Sequence, residues 1–153
     1  MTPDPEASFA RTYPILGGGF FLAGRASGEV KRGLGELPLP PELLRRVVIA
    51  TYEAEMNIVI HAISGEISVS ARDACVTVIA ADRGPGIPNI EQALVPGYST
   101  ASDKARSLGF GAGMGLTNMR RCADEFRISS ELERGTRVEM HFRPRSPGAK
   151  EKL

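Results

Sequence analysis

The sequence is poor in aromatic residues and in cysteine. Its 153 residues include no tryptophan, three tyrosines, six phenylalanines and two cysteines. Cys75 and Cys122 lie far apart and form no CxxC pair, which indicates neither a zinc site nor a disulfide framework. We therefore expect two reduced thiols, each with a buried structural role.

The sequence also has no large surplus of charge of one sign and no long apolar run. The 19 lysines and arginines balance 18 acidic residues, which leaves a formal charge of +1 and no field that attracts nucleic acid or an anionic membrane. No apolar run reaches the length of a bilayer span, and the opening MTPDPEASFARTYP lacks the regions of a signal peptide. We expect no nucleic-acid partner, no membrane association and a cytoplasmic location.

The chain is long enough for one domain. With 42% hydrophobic and 24% charged residues, it can close one core but not two of ordinary size. Both ends are polar and contain proline. We expect a mobile N-terminus over residues 1–8, a single domain over 9–143 and a mobile tail over 144–153.

One segment is the strongest helix candidate. In PPELLRRVVIATYEAEMNIVIHAI, prolines precede the first turn, Glu42 lies at the positive end of the dipole, and about five turns follow without a breaker. This pattern predicts a helix that ends near Ser64 and Gly65. ASGEVKRGLGEL predicts a shorter helix, and YPILGGGFFLAG a short strand, a glycine turn and a second apolar run.

The rest of the chain predicts two hairpins and a second amphipathic helix. EISVSAR pairs with CVTVIAAD through Asp73-Ala74, and RISSE pairs with TRVEMHF. The helix is predicted from Met114 to Phe126, after a loop over 88–112 with one short helix at NIEQAL. Its buried side is predicted to be Leu116, Met119, Ala123 and Phe126, and its outward side Arg120, Arg121 and Asp124. This order predicts an α+β fold, a two-layer sandwich with helices on one face of a mixed, mostly antiparallel sheet.

Polar residues interrupt the long apolar helix on one side. Glu53, Asn57 and His61 are each four residues apart and form one stripe, whereas Glu55 is turned about 200° from Glu53. In one interpretation these side chains satisfy neighbouring backbone groups and reach solvent. In the other, the acid and the amide oxygen one turn away hold a hydrated magnesium ion beside a water or hydroxyl.

The segment DRGPGIP ends an apolar strand on an acid, Asp82, and continues with two glycines and two prolines. An acid at this place often only caps a turn. Alternatively, Gly84 and Gly86 let the backbone approach a flat ligand, and ionised Asp82 accepts a hydrogen bond from an exocyclic amine such as that of adenine. Guanine would present an oxygen there and be repelled.

Glycine occupies every second position in GFGAGMGL, residues 109–116, at the start of the second amphipathic helix. The run is either a flexible linker or a polyphosphate site, because backbone N–H groups at such a junction bind anions. It matches neither GxxxxGKS/T nor GxGxxG after a strand, so neither a Walker loop nor a dinucleotide-binding fold is indicated.

In this order, EAEMN, DRGPGI and GFGAGMGL, followed by RGTRV, resemble the ATP-binding domain shared by gyrase, heat-shock chaperone, histidine kinase and mismatch-repair ATPases. The resemblance to this GHKL superfamily extends over about residues 40–143 and implies its Bergerat-type fold. Through GYST and RGTRVEM the sequence looks most like the anti-sigma-factor serine/threonine kinases of bacteria.

The resemblance implies a role for each motif. Glu53 would be the general base, Asn57 would bind Mg²⁺, and Asp82 would recognise the adenine of ATP with Thr136 nearby through water. Gly84 and Gly86 would line the base pocket. The phosphates would be wrapped by Gly109, Gly111, Gly113 and Gly115, and the remaining nucleotide contacts would be His61, Ile87, Ser99, Thr100, Met114 and Leu116.

A kinase of this kind would move the ATP γ-phosphate to a small regulatory antagonist of STAS type and would also bind a sigma factor. Such kinases often form homodimers through the first helix, which allows a homodimer here. Two alternatives stay open. One is a stand-alone histidine-kinase-type catalytic domain, and the other is an ATP-gated binding module that turns over no substrate.

Overall fold

The protein consists of a five-stranded sheet with helices on one of its faces. The computed structural model describes residues 6–98 and 114–146, so the predicted contacts Ser99, Thr100, Gly109, Gly111 and Gly113 lie outside the described residues. The elements are β1 (Phe9–Leu16), α1 (Arg25–Gly35), α2 (Pro41–His61), β2 (Ser64–Arg72), β3 (Cys75–Arg83), α3 (Ile90–Ala93), α4 (Gly115–Cys122), β4 (Glu125–Glu131) and β5 (Gly135–Phe142).

The strand order is β1-β2-β3-β5-β4, and both predicted hairpins are present. Every pairing among the described strands is antiparallel. This part of the sheet therefore has no parallel pair, whereas the expected mixed sheet would contain one. The predicted α+β fold with a two-layer arrangement is confirmed. Asp73 and Ala74 form the tight β2–β3 turn with positive φ values of 50° and 63°.

The core lies between the sheet and the helices. Val138, Met140 and Phe142 of β5 are buried as predicted, while Glu139 and His141 between them are half-buried. Cys75, at the start of β3, is exposed, so the buried role predicted for it is wrong. Helix α2 crosses the middle of the covered face and contacts both α1 and α4. The sheet and α2 therefore form a rigid frame on which polar side chains can be held in place.

Helix α2 ends at His61, before the predicted end near Ser64 and Gly65. Ala62 has extended backbone angles of −99° and 166°, and the N–H of Ile63 donates to the carbonyl of Arg83 at 2.8 Å. Pairing with β3 therefore ends the helix, because the chain at this point exchanges helical hydrogen bonds for sheet hydrogen bonds. His61 thus forms the end of the polar stripe.

The predicted helix from Met114 to Phe126 is too long. Helix α4 ends at Cys122, Ala123 is extended, and Phe126 belongs to β4. Asp124 is not on an outward helical face, since its side chain is 8% exposed and its N–H donates to the carbonyl of His141. The apolar spacing continues past the end of the helix because Phe126 also packs against the core, although it lies in a strand.

A buried arginine fixes the far end of α2. Arg46 is 2% exposed, and its guanidinium donates to the carboxylates of Glu42 and Asp124 and to the carbonyls of Cys122 and Arg143. Arg145 donates from its backbone to Glu42 and from its side chain to Asp124. These contacts attach α2 to the end of α4, to β5 and to the first residues of the predicted tail.

Glu55 points away from the polar stripe, as its position on the helix predicts. Its side chain is 2% exposed and accepts hydrogen bonds from the N–H groups of Gly24, Ala26 and Ser27 at 3.0–3.2 Å. These donors are at the start of α1, where a helix has N–H groups without internal partners. Glu55 therefore stabilises the contact between α1 and α2.

Candidate functional site

A cavity of about 360 Å³ lies between α2, the end of β3, the loop after β3 and the start of α4. Its walls combine apolar side chains with a few polar ones, as in many small-molecule sites. The predicted site residues that line it are Glu53, Asn57, His61, Asp82, Gly86, Ile87, Met114, Gly115, Leu116 and Thr136. Three separate sequence motifs therefore meet at one cavity.

The polar stripe of α2 forms one wall of the cavity. Glu53, Asn57 and His61 all face it, and the first residue of α4 closely approaches the first two. A Cβ atom on Gly115 would lie 3.0 Å from Asn57 Oδ1 and 3.3 Å from Glu53 Oε2. Glycine therefore lets the backbone of α4 come close to both oxygen atoms.

Asn118, a residue that sequence reasoning missed, also contacts this wall. Its side-chain Nδ2 donates to Glu53 Oε1 at 3.1 Å. The amide must present its nitrogen, because an ionised carboxylate only accepts hydrogen bonds. The available signal was its position, a polar residue one helical turn after Gly115 and between the buried Leu116 and Met119.

His61 lies at the rim of the cavity. The residue keeps substantial solvent contact, but desolvation by the protein around its ring lowers the pKa of the imidazole. Because the ordinary pKa of histidine is about 6.5, the ring is neutral at pH 7. His61 therefore adds hydrogen-bonding capacity to the site and no positive charge.

Asp82 is the acidic residue at the end of β3. Its Oδ1 accepts a hydrogen bond from the backbone N–H of Thr136 on β5 at 3.1 Å. Burial raises the pKa of Asp82, and the hydrogen bond from Thr136 opposes part of this shift. A donor that replaced the lost water would favour the charged form, so the site is suited to a ligand with an N–H group.

Ser130 connects Asp82 to the loop after β3, and sequence reasoning missed it. Its Oγ accepts from the N–H of Ile87 at 2.7 Å, donates to the carbonyl of Gly135 at 3.1 Å and lies 2.9 Å from Thr136 Oγ1. No local pattern distinguishes Ser130 from other strand serines. Its role arises from the pairing of Ser130 with Thr136 across β4 and β5.

The glycines after Asp82 allow close packing of their own chain. Gly86 lines the cavity, whereas Gly84 is not among the lining residues, so its place in the base pocket stays a prediction. A Cβ on Gly84 would lie 3.1 Å from Ala62 Cα, and a Cβ on Gly86, at φ +77°, would lie 2.5 Å from the carbonyl oxygen of Glu131. Both glycines thus allow close backbone packing around the cavity.

Gly135, in the RGTRV motif, is a third glycine of this kind, although no role is predicted for it from the sequence. Its φ is +145°, and an added Cβ would lie 1.9 Å from the carbonyl oxygen of Asp82. The close approach brings the N–H of Thr136 within reach of the Asp82 carboxylate. Gly135 therefore sets the geometry of the acid although it is not among the residues that line the cavity.

Comparison with known families identifies the fold around this cavity. Residues 42–146 match the family described as histidine kinase-, DNA gyrase B-, and HSP90-like ATPases. The chain belongs to this family. Membership covers α2, the cavity and the strands that carry Asp82 and Thr136, and it implies that the protein binds ATP.

Curated relatives of this ATPase domain carry regulatory names. The chain is 35% identical over 101 residues to a protein named Anti-sigma F factor from Geobacillus stearothermophilus, covering 62% of this chain and 66% of that relative. It is 32% identical over 98 residues to Serine/threonine-protein kinase RsbT from Bacillus subtilis, covering 61% and 68%. An Anti-sigma F factor from Clostridium acetobutylicum is 34% identical over 110 residues, covering 69% and 73%. The chain thus spans about two thirds of the length of the first of these relatives.

The described residues of the ATPase domain fit the nucleotide. The cavity volume is within the range of small-molecule sites, and its apolar walls suit a flat base. Asp82 offers a carboxylate to an exocyclic amine, and the stripe of α2 offers oxygen atoms to a hydrated cation. Over residues 6–98 and 114–146, no cluster of three or more His, Cys, Asp or Glu side chains could hold a metal ion by itself.

The same described ranges contain no helix that combines the length and the apolar character needed to cross a bilayer. Helix α2 is the longest described helix, with 21 residues, but acidic and basic residues interrupt it.

Proposed function

We propose that the protein is a serine/threonine protein kinase that uses ATP to phosphorylate a small regulatory protein. One observation supports this proposal most directly. Glu53 and Asp82, from segments that are far apart in the sequence, line the same cavity in a chain of the ATPase family. One site would then contain an acid that recognises the adenine and a second acid that acts in catalysis.

In this proposal, Asp82 recognises the adenine. Its carboxylate accepts from the exocyclic amine, while the N–H of Thr136 keeps Oδ1 in place. Ser130 lies 2.9 Å from the Thr136 hydroxyl and would orient it toward a water beside the adenine. Guanine would present a carbonyl oxygen to the carboxylate, so the site would favour ATP over GTP.

Asn57 would bind Mg²⁺ through its amide oxygen, which points to the same space as Glu53 Oε2. Magnesium in nucleotide sites usually has one or two protein ligands and completes its octahedron with waters and phosphate oxygens. A single amide oxygen therefore suffices as the contribution of α2. When bound, the ion would neutralise the charge that develops on the phosphates during transfer.

Glu53 would act as the general base. A seryl hydroxyl is a weak nucleophile, so removal of its proton by a nearby carboxylate assists its attack on the γ-phosphorus of ATP. The new O–P bond forms as the bond from the γ-phosphorus to the β,γ-bridging oxygen breaks. ADP leaves with that electron pair, and the hydroxyl proton moves to Glu53. The products are ADP, a phosphoserine or phosphothreonine, and protonated Glu53, which then releases its proton to solvent.

The names of the relatives support the choice of acceptor. Serine/threonine-protein kinase names the amino-acid class, and anti-sigma F factor names a regulator of a sigma factor. We propose a STAS-type antagonist as the acceptor and a sigma factor as a second partner. The homodimer expected from the sequence stays a prediction.

Transfer of radiolabel from γ-labelled ATP tests the proposal. We expect that the purified protein, with Mg²⁺ and a STAS-type antagonist, labels the antagonist on serine or threonine, and that the label survives acid. Acid-labile label would indicate phosphohistidine and the histidine-kinase alternative. ATP-dependent retention of the antagonist without label would indicate the binding module. Mass spectrometry of the antagonist identifies the modified residue.

Asp82→Asn should separate nucleotide binding from folding. We expect ATP affinity to fall by about 1–3 kcal/mol, about 5- to 150-fold, because the amide offers adenine a mixed edge. Since burial raises the pKa of Asp82 in the folded state, its ionised form disfavours folding of the nucleotide-free protein above that pKa. The melting temperature of the nucleotide-free variant should therefore be no lower than that of the wild type.

Isothermal titration with ATP and GTP, combined with thermal unfolding, measures both effects. Asp73→Asn is a matched control, since Asp73 lies in the β2–β3 turn with a 93% exposed side chain. ATP binding by Asp82→Asn within twofold of wild type would show that Asp82 does not recognise the base.

A further inference from the structure

Helix α4 contacts the proposed catalytic base directly. Asn118 Nδ2 donates to Glu53 Oε1 at 3.1 Å, and both side chains are half-buried between α2 and α4. On the same turn of α4, Gly115 lies beside the other oxygen, Glu53 Oε2. The two oxygens of this carboxylate therefore have different surroundings.

We propose that Asn118 is a positioning residue that holds Glu53 Oε1 and leaves Oε2 to accept the proton of the acceptor hydroxyl. This inference rests on the proposed function, because it concerns the base of that reaction. It assigns a role to a residue outside the sequence motifs that carry the resemblance to the family.

The need for such a residue comes from the freedom of the carboxylate. The terminal torsion of a glutamate side chain is broad, so without a partner the two oxygens sample many orientations. One hydrogen bond from an amide fixes the plane of the carboxylate and selects which oxygen faces the site. General-base catalysis depends on the distance and direction of the accepting oxygen, so this restriction affects the rate.

The surroundings of Oε2 agree with this assignment. A Cβ at Gly115 would be 3.3 Å from Glu53 Oε2 and 3.0 Å from Asn57 Oδ1, so both oxygens face the same edge of α4. Oε2 and the amide oxygen that would bind Mg²⁺ therefore both face the start of α4. In this proposal the acceptor hydroxyl approaches the phosphates from that side and meets Oε2.

Asn118 is also held independently of Glu53. Its backbone N–H donates to the carbonyl of Met114 at 2.8 Å, and the neighbouring Thr117 donates from its hydroxyl to the carbonyl of Leu94 at 3.2 Å. The first turn of α4 is thus fixed to the segment before residue 99 as well as to α2. Asn118 can orient Glu53 because its own helix is restrained.

Asn118→Leu tests the proposal, because leucine has a similar size and donates no hydrogen bond. We expect phosphoryl transfer to fall about 10- to 100-fold while ATP affinity stays within twofold of wild type. Arg120→Leu, on the exposed side of the same helix, is the matched control and should keep the wild-type rate. Equal rates for Asn118→Leu and wild type would overturn the proposal.

A double-mutant cycle distinguishes positioning from a general effect on the helix. If Asn118 acts through Glu53, adding Asn118→Leu to Glu53→Gln should reduce the residual transfer no further. Additive losses would show that Asn118 affects transfer by another route and would overturn the proposal.

Asn118→Asp adds a pH test, since two adjacent carboxylates share a proton and the acid side of the pH–rate profile should move to higher pH. An unshifted profile would count against the contact.

An NMR measurement keeps this inference separate from the proposed function. The side-chain amide resonances of Asn118 should differ between the wild type and Glu53→Ala, whether or not the protein transfers phosphate. Shifted resonances without transfer by the wild type would leave the contact intact and refute the kinase. Unshifted resonances in a protein that does transfer phosphate would refute the positioning role alone.

Discussion

Glu53→Gln is expected to lower phosphoryl transfer about 10²- to 10⁴-fold while ATP and Mg²⁺ binding remain near wild type. Glutamine has the shape of glutamate but cannot accept the hydroxyl proton. Its Oε1 can still accept the hydrogen bond that Asn118 donates to Glu53, so the contact between α2 and α4 is preserved. Initial rates of antagonist phosphorylation and calorimetric ATP affinity, measured at one magnesium concentration, check both parts.

The nearby Glu55 is not a silent control for this experiment. From the sequence alone, Glu55→Ala is expected to change neither binding nor transfer, because Glu55 points away from the stripe. The structure adds a different effect, since three backbone N–H groups at the start of α1 would lose their acceptor and the fold would be destabilised.

Retained transfer by Glu53→Gln would remove the general base from the mechanism and favour the ATP-gated binding module.

Arg46→Met is expected to destabilise the protein by about 3–5 kcal/mol, because breaking a buried ion pair leaves uncompensated charge. Methionine fills much of the volume of the arginine stem but donates to none of its partners. Asp124, with a side chain 8% exposed, would lose the hydrogen bond from Arg46 and keep its contacts to Arg143 and Arg145. For a domain of this size, the loss corresponds to a melting temperature lower by about 6–20 °C.

Thermal and urea unfolding of Arg46→Met measure this loss, and Arg120→Met serves as the control at an exposed helical arginine. An unchanged urea midpoint for Arg46→Met would show that the buried cluster contributes no net stability.

The stability difference should also depend on pH. The hydrogen bond from Arg46 lowers the pKa of Glu42. Burial alone would raise the pKa of Asp124, but hydrogen bonds from Arg143, Arg145 and Arg46 outweigh it and lower this pKa. Carboxylates with lowered folded-state pKa values stabilise the fold above their unfolded values, about 4, and lose this contribution as the pH falls through the folded values. The gap between wild type and Arg46→Met should therefore shrink in acid.

Much of the site follows from local geometry that the sequence displays. Four-residue spacing on one helix is enough to place Glu53, Asn57 and His61 on one side and Glu55 on the other. An acid that closes an apolar run is likewise expected to lie near the end of that strand, as Asp82 does in β3. These expectations succeed because a helix or strand fixes the directions of its own side chains.

Local patterns failed where two elements compete for the same residues. The apolar spacing from Leu116 to Phe126 suits a helix throughout, yet the chain changes to β4 after Cys122. Pairing with β5 decides this, because Phe126 packs into the core from a strand as well as it would from a helix. The same spacing predicts an outward position for Asp124, although its side chain is a partner of buried Arg46.

The sequence by itself determined the class of fold, the direction of the polar stripe and the acid at the end of β3. Only the tertiary structure decided that Asn118 holds Glu53, that Ser130 supports Thr136, and that glycines after Asp82 make room for their own chain. The physical reason is separation along the chain. Glu53 and Asn118 are 65 positions apart, so no periodicity of either helix encodes their contact, and it forms only when α2 and α4 pack together.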